Sequence, residues 1–160
     1  MRLSRLAQVS APLLNRDVRR SLMILDQRLV DAAIEQARTR FPDGCGGAAA
    51  LYLSDGRILT SVCLDTPNES ANLCHETGAI CEANRLNLAV TATVCVSRES
   101  SAAPFVIVPP CGICQERLAI WGMNVEVAVP AQGDTTRWQA KSLRDVHPFY
   151  WKEVFGSKNR

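Results

Sequence analysis

Cys74, His75 and Glu76 put a thiol, an imidazole and a carboxylate on consecutive residues, and a Cys-x-x-Cys pair, Cys111 and Cys114, follows directly behind Pro110. Three thiolates form a soft ligand set, and cysteines two residues apart suit zinc. Three protein ligands leave a fourth position open to water, the feature that separates catalytic from structural zinc. Glu76, two residues beyond Cys74, can take the proton of that water without joining the ligands. Three thiolates leave Zn2+ with net negative charge, which two helix N-termini aimed at the site would offset.

Other readings of the same residues explain less. A redox pair accounts for Cys111 and Cys114 but gives Cys74 and Glu76 no role, and no thioredoxin-like order of elements surrounds it. A non-catalytic, zinc-stabilised module needs a fourth ligand. The nearest, His75, points away from Cys74 if both lie on a helix. Cys45, Cys63, Cys81 and Cys95 read as small buried core residues. His147 carries no signal.

The elements that must position this cluster can be read from periodicity. Leu22, Leu25, Leu29 and Ala33 recur at helical spacing from Ser21 to Arg38, and "FPDGCGG" stops that helix. Two apolar runs flank Ser54-Asp55-Gly56-Arg57, an antiparallel hairpin signal. Ala79, Ile80, Ala83 and Leu86 predict a buried helix from about Cys74 to Leu88, with the cluster in its first turn. "AVTATVCVS" reads as a buried strand, "SRESSAAP" as a loop and "FVIV" as a short apolar piece ending at Pro109 and Pro110. Ile113, Arg117, Leu118 and Trp121 predict a helix that opens at the Cys-x-x-Cys pair and ends at Gly122, and "NVEVAVP" then alternates as a strand. Alternating strands and helices after a hairpin predict an α/β fold, a three-layer α/β/α sandwich with a mixed central sheet of about five strands.

Size and charge narrow the function. The chain has 160 residues, 47% of them apolar, and a net charge of +2, which suits one domain and a small or neutral partner, not nucleic acid or a membrane surface. Arg2, Arg5, Arg16, Arg19 and Arg20 make residues 1–20 a basic extension, with residues 21–160 as the single catalytic domain. Pro12 and Asp17 interrupt that extension and argue against an organelle presequence. With no apolar stretch of ~20 residues and no secretory block, the expectation is a soluble cytoplasmic protein whose seven cysteines are thiols or metal ligands.

Cys74-His75-Glu76 with Pro110-Cys111-Gly112-Ile113-Cys114 resembles the zinc signature of the cytidine deaminase superfamily in its all-Cys form. The hairpin stretch "GGAAALYLSDGRILTSVCL" is similar to the segment preceding that signature in small cytidine and blasticidin S deaminases, "CHETGAI" to their Cys-Ala-Glu-Arg-Thr-Ala, and "SLRDVHPFYW" to their C-terminal tail. The likeness spans about Arg38 to Trp151. It implies that Cys74, Cys111 and Cys114 bind zinc, that Glu76 is the catalytic proton carrier, and that the substrate is a free cytosine nucleoside, cytidine or deoxycytidine, losing ammonia. It further implies a homo-oligomer, tetramer or dimer, in which Pro110 lines the site and a tail aromatic, Phe149, Tyr150 or Trp151, covers the base.

This sequence departs from the family pattern at three places. The residues expected to hold the ribose, an Asn and a Glu, are Cys63 and Asp65. The Arg after the catalytic Glu is Thr77, and a small wall residue is His75. These changes favour a blasticidin S-like, modified-pyrimidine or other aminated-heterocycle substrate as the alternative within the same chemistry. A nucleic-acid editing role would bring His as first ligand and a basic aromatic channel.

Overall fold

The computed structural model describes residues 24–155, so the basic segment 1–20 lies outside the described residues. The first helix, α1 (Gln27–Arg40), begins later than its periodicity predicts, because the Asp26 carboxylate accepts from the Leu29 N–H and caps it there. Strands β1 (Gly46–Leu53) and β2 (Ile58–Ser61) form the predicted hairpin around Asp55-Gly56, with Gly56 at φ 89°. Then come α2 (Thr77–Arg85), β3 (Val90–Arg98), β4 (Val106–Ile107), α3 (Gly112–Leu118), β5 (Glu126–Ala131), β6 (Asp134–Ser142) and the single-turn α4 (Leu143–Val146).

The sheet runs in the order β2-β1-β3-β5-β6 and is mixed: β3 and β5 are parallel, and the other neighbours are antiparallel. Strand β1 covers one edge of β3 along its length, so β4 and β5 share the other edge, β4 at Val96 and Ser97, β5 at Ala92 and Thr93. Six strands form where about five are expected. The addition is β6, "DTTRWQAKS", an edge strand exposed along most of its length and therefore without an apolar alternation to betray it. Gly133 at φ 80° closes its tight turn from β5.

Side-chain alternation divides the core in two. Ala48, Ala50, Tyr52, Ala92, Val94 and Val96 face α1 and its Leu29, Val30, Ala33 and Ala37. Ala49, Leu51, Leu53, Val90, Cys95 and Val127 face Ala79, Ile80 and Ala83 of α2 and Leu118 of α3. This is the predicted three-layer α/β/α sandwich. Ala48, Ala49 and Ala50 are fully buried at its centre, where small side chains let both helical layers approach the sheet. Among the described residues no helix is long and apolar enough to cross a membrane.

Candidate metal and catalytic site

The N-termini of α2 and α3 meet on the face of the sheet opposite α1. Helix α2 starts three residues after Cys74, so Cys74, His75 and Glu76 form its approach and N-cap rather than its first full turn. The Thr77 N–H donates to the Cys74 carbonyl at 3.0 Å and the Ile80 N–H to the Glu76 carbonyl at 2.9 Å, fixing the backbone of the cluster. Ser61, at the end of β2, donates its hydroxyl to the His75 carbonyl and accepts from the Ala79 N–H at 3.1 Å. Gly78 permits that approach: a Cβ there would stand 3.0 Å from the Ser61 Cβ.

Cys111 is the N-cap of α3, and Cys114 lies fully buried in its first turn. Arg117, one turn further on, donates to the Thr77 hydroxyl at 2.6 Å and ties α3 to the first turn of α2. The position where the family resemblance anticipates an arginine thus holds Thr77, and a guanidinium arrives there from the other helix.

These constraints bring the three sulfurs of Cys74, Cys111 and Cys114 within 4.8 Å of one another. The Cys74 and Cys111 sulfurs are 3.3 Å apart, and the Cys114 thiol donates to Glu76 Oε2 at 3.4 Å. A tetrahedral zinc with Zn–S bonds of ~2.3 Å separates its sulfurs by about 3.8 Å, so the trio fits with small adjustments. Glu76 is only 4% exposed. A carboxylate so enclosed beside thiols restrains their ionisation. Burial first, then the charge of Glu76, pushes the Cys114 thiol up, and burial followed by the hydrogen bond to Cys111 raises Cys74. Burial also opposes ionisation of Cys111, but the Cys114 N–H, the thiols of Cys74 and Cys114 and the Ile113 N–H outweigh it and leave this thiol below its ordinary range. Ionisation is thus eased at Cys111 and opposed at Cys74 and Cys114, and a dication is what the set requires to ionise fully.

Beside the cluster opens a cleft of about 290 Å3, at the lower end of the ~300–1,000 Å3 usual for small-molecule sites. Of the residues singled out from sequence, Cys63, Cys74, His75, Glu76 and Cys111 line it. The His75 ring rests over Gly47, where a Cβ would collide with the Val96 carbonyl and crowd His75 Nε2 at 3.0 Å. Burial, opposed by the charges of Glu76 and Asp65, holds this imidazole below its ordinary pKa and favours the neutral ring.

Asp65, Pro110 and the tail aromatics are not among the residues that line the cleft. Asp65 is exposed and accepts from the Cys63 thiol at 3.4 Å. Pro110 is buried, its carbonyl accepting from Gln115 Nε2 at 2.8 Å, and Pro109 takes its place on the wall. Phe149 is fully solvent-exposed, at φ 61°, and Trp151 is 57% exposed with its indole N–H on Glu116. Tyr150 between them is buried against the core, its hydroxyl donating to Glu116 Oε1 at 3.0 Å.

Sequence reasoning overlooks Asn72, Leu73, Cys95, Val108 and Pro109, which complete the lining. Adjacency to Cys74 and Cys111 is the one signal that could have found four of them. Cys95 alone of the four remaining cysteines is core: Cys45 and Cys81 are exposed and Cys63 is half-buried, because each lies on a loop or an outward helix face.

No protein-family model matches the sequence, and no curated protein does. Solved structures do. The cytidine deaminase of Bacillus anthracis is 40% identical over 81% of this chain and 91% of its own, with a TM-score of 0.75. Those of Burkholderia pseudomallei and Mycobacterium tuberculosis share 21% and 19% identity with TM-scores of 0.60 and 0.58, each over 80% of this chain and 100% and 98% of their own, and show the common fold. Identity at that level across most of both chains, on a sheet that brings three cysteines and a buried glutamate together, means that the chain belongs to the cytidine deaminase family, hydrolases acting on a C–N bond.

Proposed function

We propose that the chain is a zinc-dependent hydrolase that removes the exocyclic amine of a free cytosine nucleoside, cytidine, deoxycytidine or a close analogue, as ammonia. The observation that carries this reading is the placement of Glu76: buried, lining the cleft, and in contact with the thiol trio through Cys114. Cys74, Cys111 and Cys114 are the residues that would hold the metal. Zinc bound there supplies Lewis acidity that brings water close to ionising near pH ~7.

Glu76 handles both protons of the water. It takes the first and delivers it to the ring nitrogen beside the amine-bearing carbon. It then passes the second to the departing amine, so that amine and water become carbonyl and ammonia. Its enclosure keeps bulk water from competing for those protons. The Cys114 and Ile113 N–H groups, aimed at the Cys111 thiolate, offset the charge of the ligand set.

Phe149 and Trp151, exposed and not among the residues that line their own cleft, support a homo-oligomer in which a tail aromatic covers the base bound by a neighbouring copy. A modified-pyrimidine substrate is the second reading, favoured by the Cys63 thiol, whose partner is Asp65. Ammonia release by zinc-loaded protein from cytidine, deoxycytidine, cytosine and blasticidin S separates these readings. Turnover of cytidine and deoxycytidine is expected, and turnover of blasticidin S alone would replace the first reading by the second.

A further inference from the structure

The cleft has a floor and a rim. Glu76 is buried at the floor, whereas Asn72 is exposed at the rim. An amine-bearing ring carbon must approach Glu76, so whatever the ring carries on its far side lies toward the exposed rim, of which Asn72 is the carboxamide-bearing member. The amide of Asn72 is held in one orientation: its Oδ1 accepts from the Thr66 N–H at 2.7 Å and from the Thr66 hydroxyl at 3.2 Å. A backbone N–H can donate only to the oxygen, so the NH2 end is the one left facing away from Thr66. The segment bearing it is pinned by reciprocal backbone hydrogen bonds between Leu64 and Leu73, at 3.1 and 2.9 Å.

Two of the neighbouring groups along this wall are already engaged. The Cys63 thiol donates to Asp65, and the Cys74 sulfur contacts that of Cys111. We infer that Asn72 is a specificity-determining residue of the cleft, its amide NH2 donating to a sugar hydroxyl of the nucleoside. This assignment rests on the deaminase reading above and gives the sugar a carboxamide partner, which position 63 does not supply.

The test compares cytidine with 2′,3′-dideoxycytidine, which has the same ring and lacks the two secondary hydroxyls, in the zinc-loaded full chain and in Asn72→Leu. The wild type is expected to favour cytidine. The variant should raise the cytidine KM about fivefold, the size of one neutral hydrogen bond, with little change in kcat and none in dideoxycytidine turnover. Unchanged turnover of the dideoxy compound also shows that the variant is folded. A proportionate loss on both compounds, or a wild type indifferent to the hydroxyls, overturns the inference while leaving the deaminase reading intact. A wild type that releases ammonia from no aminated pyrimidine overturns both.

Discussion

The contact between Arg117 and Thr77 joins the two helix N-termini that carry the thiols, and removing it should weaken the fold and the metal site together. The hydrogen bond is 2.6 Å long, its donor is charged, and it is partly buried. Hydrogen bonds to charged groups contribute about 1.5–3 kcal/mol, and partial exposure reduces this one to about 1–2 kcal/mol. For a chain of this size that corresponds to a fall in Tm of roughly 3–6 °C for Arg117→Met. Thr77→Val, similar in shape, should give a smaller fall. The double variant should be no worse than Arg117→Met alone, a non-additivity of about 1 kcal/mol. Thermal unfolding with excess chelator reads the fold, and zinc competition against a chromophoric chelator reads the site. Zinc affinity should fall at least about tenfold in Arg117→Met, since both the alignment of the helices and a nearby positive charge are lost. Additive single effects, or an unchanged zinc affinity, would refute the view that this contact aligns the ligands.

Other expectations follow from the same geometry. Gly47→Ala should destabilise the protein by about 1–3 kcal/mol in urea unfolding, because the added Cβ meets the Val96 carbonyl and the His75 ring. An unchanged midpoint would mean that β1 and β3 shift freely there. Cys114→Ala should lose stoichiometric zinc by metal analysis and, with it, the zinc-dependent part of the Tm; full retention would show that the ligand set is wrong. Because burial raises Cys74 and Cys114 above the ordinary thiol range, both are protonated near neutral pH in the metal-free protein, and zinc must displace their protons. Apparent zinc affinity should therefore rise with pH, with proton release detectable by calorimetry in buffers of different ionisation enthalpy. A pH-independent affinity would contradict that assignment.

What could be read from the sequence was decided by which interactions are local. The hairpin at Asp55-Gly56 and the helix opening at Cys111 follow from turn chemistry and periodicity, which are short-range in sequence, and the convergence of Cys74 with Cys111, 37 residues away, follows from the ligand chemistry of the residue types. Strand β6 escaped because an exposed edge strand need not alternate, and its pairing with β5 supplies the order. The later start of α1 escaped because a side-chain cap at Asp26 outweighs the apolar spacing before it. Arg117 and Asn72 escaped for a different reason. Their partners, Thr77 and Thr66, are set by how helices and loops pack, 40 and 6 residues away respectively, and no local pattern marks either pair. Cys45 and Cys81, expected in the core, face solvent because composition says nothing about the direction of a side chain.

The central claim is that Glu76 carries the protons of the reaction without holding the metal. The direct measurement is zinc content and ammonia release from cytidine in Glu76→Gln beside the wild type. A glutamine fills the same space and cannot take a proton. Expected are stoichiometric zinc, a Tm close to wild type, and a kcat lower by about 10²–10⁴-fold or more. Ammonia released at the wild-type rate by a zinc-loaded Glu76→Gln protein would contradict that claim.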